Sequence, residues 1–235
     1  MIFDIHSHIV PGVDDGVKSV AEALTNLKLC EENGIDAVIA TPHFWYDIKR
    51  FDSYNRAVDE AFAAVKKAYD GKIELYKGYE VKFFKGISET EKIRKMTLNG
   101  SEYLLLELHY SQDITDEIIR EIADIYYNFR ITPIFAHLER YHDNHGFRKA
   151  LSLVDNGIAM AQVNASSFFS DSKRTAVNML HDGLASVIAT DMHSPDSRPP
   201  KMKEALLCYR DIFGNHNVQK ILDNFDRLYR QIILK

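Results

Sequence analysis

Short apolar runs alternate with longer amphipathic stretches along the whole chain. Most of the short runs are almost continuously apolar, as expected for parallel strands that are buried on both faces. We predict seven strands from these runs, at residues 2–6, 36–41, 73–79, 103–107, 132–136, 158–163 and 185–190.

The amphipathic stretches between and after these strands predict α-helices. Ser19 precedes Glu22 at the start of the first stretch, and this spacing favours an N-terminal helix cap. Gly34, Gly157 and Gly183 fall where helices are expected to end. The predicted helices span residues 19–33, 53–68, 88–96, 115–127, 147–155, 173–182, 201–213 and 218–233.

Seven β-α units in series, without a linker or an internal repeat, predict a single α/β domain over residues 1–235. A doubly wound sheet would give the same local pattern. The glycine-rich signatures of nucleotide binding, however, do not follow any of the predicted strands. The sequence therefore favours a closed or nearly closed seven-stranded β/α barrel.

Composition narrows the class of protein. A formal net charge of -5 and a pI near 6.1 argue against a nucleic-acid binder, which usually shows a basic surface. The chain begins with a predicted strand that carries Asp4 and His6, and its apolar runs are short, so we expect neither a signal peptide nor membrane insertion. Cys30 and Cys208 alone give no disulfide framework, which suits a reducing compartment. We therefore expect a cytoplasmic protein.

Polar side chains follow the carboxyl end of every predicted strand. In a parallel β/α barrel these ends lie on one face, where enzymes of this architecture build their active sites. The residues, in strand order, are His6, His8, Asp14 and Asp15; His43; Glu80; Glu107; His137, Glu139 and Arg140; Gln162 and Asn164; and Asp191 and His193.

Each of these residues has an ordinary explanation when it is taken alone. Glu80 or Glu107 could cap a helix or pair with a lysine, and His43 could be a satisfied loop histidine. His6 and His8, in contrast, point to the same side of a strand and could bind one metal ion. The arrival of such residues at one face favours a multinuclear metal site, because buried charged groups are costly without a counterion.

The order of these residues resembles the polymerase-and-histidinol-phosphatase (PHP) superfamily, whose fold is a distorted (β/α)7 barrel that holds up to three metal ions. Within it, the chain is similar to the manganese-dependent protein-tyrosine phosphatases of bacterial capsule and exopolysaccharide loci, the CpsB/YwqE type. The second similarity rests on residues 8–16, 136–141 and 189–194 and on Arg198-Pro199-Pro200.

The resemblance implies three groups of metal ligands, with Glu80 shared by the first two. Asp15 is preferred to Asp14 because the ligand of the family lies seven residues after the second histidine. The implied groups are His6, His8, Glu80 and Asp191; Glu80, Glu107 and His137; and Asp15, His43 and His193.

Arg140 and Arg198 match the two phosphate-binding arginines of the family. His109 and Tyr110 depart from the smaller or apolar residues that the family has after its counterpart of Glu107. This difference affects the expected substrate rim and not the expected metal site. The other histidines outside the ligand groups are interpreted as surface or supporting residues.

Imidazole and carboxylate ligands together suit Mn²⁺, Fe or Zn²⁺ better than Mg²⁺ alone. We expect two or three ions, with Mn²⁺ first and Fe or Zn²⁺ as alternatives. Adjacent metals can activate water at neutral pH, and arginines can bind phosphate oxygens in a planar, bidentate way. The expected reaction is direct attack of metal-bound hydroxide on a phosphotyrosine.

Four other functions compete with this one. A cysteine-dependent phosphatase needs an arginine six residues after its cysteine, but Asp36 and Gly214 occupy those positions. A histidinol-phosphate phosphatase or another PHP phosphoesterase would share the site and stays the alternative. A PHP exonuclease would need a basic groove, which the acidic charge argues against. A metal-stabilised regulatory module would not need so complete a ligand set.

The resemblance also implies a partner, the tyrosine-rich tail of a bacterial polysaccharide tyrosine kinase. Aromatic residues near the predicted rim could contact a substrate tyrosine ring, or they could simply pack the loops. They are Phe44, Trp45, Tyr46, Phe168 and Phe169.

Overall fold

The computed structural model describes residues 1–45 and 47–234, and Tyr46 therefore lies outside the described residues. Within this part of the chain, nine strands pair in parallel throughout. They are β1 (Phe3–Ser7), β2 (Ala37–Ala40), β3 (His43–Phe44), β4 (Glu74–Lys77), β5 (Glu80–Lys82), β6 (Tyr103–Glu107), β7 (Thr132–Phe135), β8 (Met160–Asn164) and β9 (Val187–Ala189).

Seven α-helices within the described ranges connect these strands or follow the last of them. Their apolar faces pack against the buried sheet, and their boundaries lie within a few residues of the predicted ones. They are α1 (Val20–Glu32), α2 (Phe51–Ala68), α3 (Asp116–Phe129), α4 (Phe147–Asp155), α5 (Lys173–His181), α6 (Met202–Phe213) and α7 (Asn215–Ile232).

The predicted second and third strands are each divided into two pieces. Thr41 and Pro42 separate β2 from β3, and proline has no N–H with which to continue a strand ladder. Gly78 separates β4 from β5, where a Cβ would lie 2.8 Å from Leu98 Cδ2 and 3.0 Å from Leu98 Cα. The two divided strands stay neighbours, since β2 pairs with β4 and β3 pairs with β5. Their other neighbours contact one half only, because β1 pairs with β2 and β6 pairs with β5. Seven strand positions remain, as predicted.

The sheet curls until its first and last strands meet. The Asp191 amide donates to His6 O and the His8 amide donates to Met192 O, each over 2.9 Å. Asp4 adds a side-chain link, because its carboxylate accepts bonds from the backbone N–H (2.9 Å) and the hydroxyl (2.5 Å) of Thr190. These bonds produce a distorted β/α barrel, which confirms the predicted fold class.

The α-helix predicted over residues 88–96 is wrong. The segment forms two short 3-10 helices, Ile87–Glu89 and Glu91–Lys95, separated at Thr90. Thr90 has an extended backbone, and its hydroxyl accepts a bond from the Lys92 amide, which begins a new turn instead of continuing the first.

Within residues 1–45 and 47–234, none of the helices has both the length and the apolar character that a membrane span requires.

Candidate metal centre

The nine predicted metal ligands lie together at the carboxyl ends of the strands. Eight of them are buried, whereas the Asp15 side chain is 54% exposed. The structure thus brings together the whole predicted set from six separate strand ends. Its members are His6, His8, Asp15, His43, Glu80, Glu107, His137, Asp191 and His193.

The first predicted group converges tightly. The Nε2 atoms of His6 and His8 lie 3.2 Å apart. Glu80 Oε2 lies 3.2 Å from His6 Nε2 and 3.3 Å from His8 Nε2. Asp191 Oδ1 lies 3.4 Å from each of the same two nitrogens. Two imidazoles and two carboxylates therefore face one point, as the alternation of side chains along β1 predicted.

Glu80 also reaches the second predicted group. Its Oε1 lies 3.0 Å from His137 Nε2, and its Oε2 lies 2.7 Å from His43 Nδ1. Glu107 is close to both Glu80 and His43, and burial together with the charge of Glu80 raises the pKa of Glu107 to about 7. Glu80 is therefore at the centre of the cluster, in contact with imidazoles from several strand ends.

The third predicted group lies on the solvent side of the cluster. Asp15 Oδ1 is 3.4 Å from His43 Nε2 and 3.4 Å from His193 Nε2. His8 completes this group, because its ring lies against that of His193 with centroids 3.9 Å apart. Burial, together with the neighbouring His8, lowers the pKa of His193 to about 3, so its ring is neutral and able to donate a lone pair.

Four buried side-chain atoms of the cluster make no hydrogen bond of acceptable geometry with the described residues, although two of them, His43 Nδ1 and Glu80 Oε2, lie 2.7 Å apart. They are His43 Nδ1, His193 Nε2, Glu80 Oε2 and Glu107 Oε2. Such groups are costly to bury unless a cation or water satisfies them. Imidazole nitrogens and carboxylate oxygens are also the donors that Mn²⁺, Fe and Zn²⁺ accept. The cluster fits divalent cations.

The charges of the cluster agree with this fit. Burial alone would raise the pKa of Glu80 and Asp191, but the neighbouring histidines hold the pKa of both carboxyls well below its usual range. Arg198 contributes to the same effect on Asp191. Both carboxylates are therefore ionised and available as ligands at neutral pH.

Side chains behind the cluster fix the orientation of its histidines. Asp14 Oδ2 accepts from His8 Nδ1 over 2.8 Å and from the His43 amide over 3.0 Å. Gln162 Oε1 lies 3.1 Å from His6 Nδ1 and accepts from the His137 amide over 2.9 Å. With Nδ1 held in this way, Nε2 of His6 and of His8 faces the centre. Asp14 and Asp15 thus have different positions, and Asp15 is the one that faces the cluster.

Two cluster residues have an unusual backbone. His137 (φ 35°) and Asp191 (φ 50°) lie in the left-handed region, which residues other than glycine seldom occupy. Strained conformations of this kind are retained where the surrounding structure fixes them, and they concentrate at functional sites.

Arg140 and Arg198 meet at one oxygen of the cluster. Their Nη2 atoms lie 3.2 Å and 2.6 Å from Asp191 Oδ2, and Asn164 Nδ2 donates to the same oxygen over 2.6 Å. The two carboxylate oxygens of Asp191 therefore have different neighbours: Oδ1 faces the histidines, and Oδ2 faces the two guanidinium groups. Both arginines are partly exposed, so an anion can reach them from solvent.

Two residues near the cluster carry contacts that the sequence did not indicate. The Tyr110 hydroxyl lies between His137 and Arg140. Glu139 is fully buried behind the rim, where its Oε1 accepts hydrogen bonds from the Ser167 hydroxyl and from the backbone N–H of Asn164. The pattern Ala136–Tyr141 placed Glu139 near the rim, but neither its burial nor the Tyr110 contact follows from spacing.

The other rim residues divide between core and surface. Phe44 and Phe168 are buried, so loop packing is the correct interpretation for both. Trp45 and Phe169 are half exposed, and the Trp45 ring centroid lies 4.0 Å from that of His43. The His109 side chain contacts the backbone of another segment, with Nε2 2.9 Å from Phe83 O.

This distorted parallel β/α barrel has the PHP fold, with imidazoles and carboxylates clustered at the carboxyl ends of its strands. The family model for capsular polysaccharide synthesis proteins CpsB/CapC matches residues 2–229. The chain belongs to this CpsB/CapC family.

Relatives in this family are described as tyrosine-protein phosphatases. CpsB of Streptococcus agalactiae serotype III, a tyrosine-protein phosphatase, is 30% identical, with 95% of this chain and 99% of CpsB covered. CapC of Staphylococcus aureus, a putative tyrosine-protein phosphatase, is 33% identical over 86% of this chain and 80% of CapC. One solved chain shares the fold, with a TM-score of 0.82 and 24% identity over 98% of this chain and 95% of that one. It comes from work described as crystal structures of YwqE from Bacillus subtilis and CpsB from Streptococcus pneumoniae, metal-dependent tyrosine phosphatases.

Proposed function

We propose that this protein is a metal-dependent phosphatase that removes phosphate from tyrosine side chains of proteins. One observation carries the proposal: Arg140 and Arg198 meet at Asp191, whose other oxygen faces the histidine and carboxylate cluster. Planar guanidinium groups bind phosphate oxygens, and the cluster beside them fits divalent metal ions. Membership of a family of tyrosine-protein phosphatases supports the same reaction.

The metal ligands in this proposal are the nine residues of the cluster. His6, His8, Glu80 and Asp191 would hold one ion, and Glu80, Glu107 and His137 would hold a second. Asp15, His43 and His193 would hold a third, with His8 close to them. Two or three ions are expected. The mixture of imidazole and carboxylate donors suits Mn²⁺, Fe or Zn²⁺, and Mn²⁺ is placed first because of the resemblance to manganese-dependent phosphatases.

When bound, divalent ions lower the pKa of water to the neutral range and neutralise charge on phosphate oxygens. The residues of the chain do the rest. Arg140 and Arg198 bind and orient the phosphate through parallel N–H donors. Asp14 and Gln162 hold the histidine rings in place, and Asn164 holds the outer oxygen of Asp191.

The experiment that tests the proposal compares three substrates with added Mn²⁺: a phosphotyrosine peptide, histidinol phosphate and single-stranded DNA. We expect hydrolysis of the peptide and little turnover of the other two. Preferred hydrolysis of histidinol phosphate would favour the alternative, a histidinol-phosphate phosphatase with the same cluster. Cleavage of DNA would contradict both phosphatase assignments.

The proposed substrate in the cell is the tyrosine-rich tail of a bacterial kinase of polysaccharide synthesis. A flexible tail suits a cluster that lies at the rim of the barrel, where the arginines are open to solvent. Both cysteines are free thiols, which suits the reducing cytoplasm, the proposed location. Residues 1–235 are proposed to act as one phosphatase domain, without nucleic acid as a partner.

A further inference from the structure

Tyr110 stands at the boundary between the cluster and the arginines. Its hydroxyl oxygen lies 3.1 Å from His137 Nδ1 and 3.2 Å from Arg140 Nη1. It thus contacts one residue of the proposed metal site and one of the proposed phosphate site.

The Tyr110 ring is held in this position by a second aromatic ring. It stacks on Tyr141, with centroids 4.7 Å apart and planes inclined by 7°. Tyr141 is fixed in turn, because its hydroxyl donates to Leu108 O over 2.8 Å. Tyr110 itself is 50% exposed, so one side of the residue is open to an approaching substrate.

The two contacts determine which hydrogen bonds the Tyr110 hydroxyl accepts and which one it can donate. Arginine only donates hydrogen bonds, so the hydroxyl oxygen accepts from Arg140 Nη1. His137 Nε2 faces Glu80 Oε1 at 3.0 Å, on the side of the cluster. If Nε2 gives its lone pair to a metal ion, the ring proton is on Nδ1, and this N–H donates a hydrogen bond to the Tyr110 hydroxyl oxygen. Both lone pairs of the hydroxyl are then occupied, and its own proton is left for a third partner.

We propose that Tyr110 is a further catalytic residue, whose hydroxyl donates a hydrogen bond to an oxygen of the phosphate group held by Arg140. The assignment rests on the proposed function, because it places a phosphate beside Arg140. The phosphate oxygen is a suitable acceptor since it is anionic and lies next to the same guanidinium group that orients the tyrosine.

The test is Tyr110→Phe, which keeps the stacked ring and removes the hydroxyl. Tyr127→Phe is the matched control, because Tyr127 is a half-exposed tyrosine on α3 that has no contact with the cluster. Bound Mn²⁺ is measured by mass spectrometry, the affinity for inorganic phosphate by calorimetry, and kcat/KM with p-nitrophenyl phosphate and with a phosphotyrosine peptide.

In Tyr110→Phe we expect unchanged metal content and an affinity for phosphate about 10- to 100-fold weaker, as for the loss of a hydrogen bond to a charged group. The value of kcat/KM should fall by a similar factor with both substrates, because the phosphate is common to them. Tyr127→Phe should match the wild type in every measurement.

Three results would overturn the assignment. Unchanged phosphate affinity in Tyr110→Phe would show that the hydroxyl does not contact the phosphate. Loss of metal, with full phosphate affinity after reloading with Mn²⁺, would limit Tyr110 to holding His137. A loss of activity confined to the peptide would place Tyr110 against the polypeptide. The calorimetry needs no turnover, so failure of the wild type to hydrolyse phosphotyrosine would refute the proposed function and leave the Tyr110 result interpretable.

Discussion

At the scale of single residues, the site depends on carboxylates that have separate tasks. Asp14 and Asp15 are adjacent in the sequence, yet Asp14 holds the His8 ring from behind and Asp15 faces His43 and His193. Asp191 divides the tasks between its own two oxygens. Such partners behind a metal ligand fix its tautomer and its orientation.

Replacing Asp14 tests this division. In Asp14→Asn the carboxylate that accepts from His8 Nδ1 is lost, so we expect metal affinity to fall by about 10- to 100-fold, as is usual for partners behind a ligand. Competition with a metal chelator measures the change. Asp155→Asn, at the exposed C-terminal end of α4 just before β8 begins, lies at the opposite end of the strand from the cluster and is the control, which should bind metal normally. Equal metal affinity in the two variants would show that Asp14 has no part in the site.

The residue scale is also where prediction from sequence was least complete. The strand-end histidines and carboxylates were predicted because each follows a recognisable apolar run. The place of Tyr110 depends on a ring stack with Tyr141, thirty-one residues further along the chain, which no local pattern contains. The burial of Phe44 and Phe168 likewise depends on packing between distant elements.

At the scale of elements, the loop between β1 and α1 shows how backbone shape positions ligands. Gly16 lies so close to β1 that a Cβ would meet His8 O at 2.3 Å and His8 Cβ at 2.6 Å. The Gly16 amide also donates to Asp14 Oδ1 over 2.9 Å. Glycine therefore allows the loop to bring both aspartates over the histidines.

Gly16→Ala should displace this loop. We expect bound metal and phosphotyrosine hydrolysis to fall by at least about tenfold, because a shift of about 1 Å in a catalytic group can cost far more. Gly157→Ala is the control, at φ +69° with nothing within 4 Å of the added Cβ. It should lower the free energy of unfolding by about 1 kcal/mol and leave metal binding intact. A fully active Gly16→Ala variant would refute the close packing of the loop.

The elements themselves were largely predictable. Alternation of apolar and amphipathic stretches located all seven strand positions and most helices. The divisions at Pro42 and Gly78 and the 3-10 turns around Thr90 were missed, because apolar and amphipathic patterns do not show where a strand ladder or a helix is interrupted. The division matters for the site, since it pairs His43 with Glu80 in adjacent positions of β3 and β5.

At the scale of the whole molecule, the buried cluster links metal binding to stability. Glu80 and Glu107 are buried close together in the cluster, and each has one side-chain oxygen without a hydrogen bond among the described residues. Without a cation, their unsatisfied oxygens and mutual repulsion oppose folding. A ligand that binds only the folded state adds stability in proportion to the logarithm of its concentration.

Removal of metal should therefore lower Tm. Free metal at a thousandfold its dissociation constant stabilises one site by about 4 kcal/mol, which corresponds to a shift of roughly 10 °C for a chain of this size. Differential scanning calorimetry before and after chelation measures it, and added Mn²⁺ should reverse it. The Asp191→Ala variant, which loses a ligand of one of the proposed sites, should respond less to chelator than the wild type. A wild type that does not respond to chelator would contradict the coupling.

The central claim is that one buried cluster holds the metal that phosphotyrosine hydrolysis requires. The most direct measurement determines bound metal and turnover of a phosphotyrosine peptide in the same samples of wild type, His6→Ala and Asp191→Ala. We predict that the wild type retains two or three ions and hydrolyses the peptide, and that both variants lose metal and activity together. A variant that loses its metal and keeps full turnover would contradict the account.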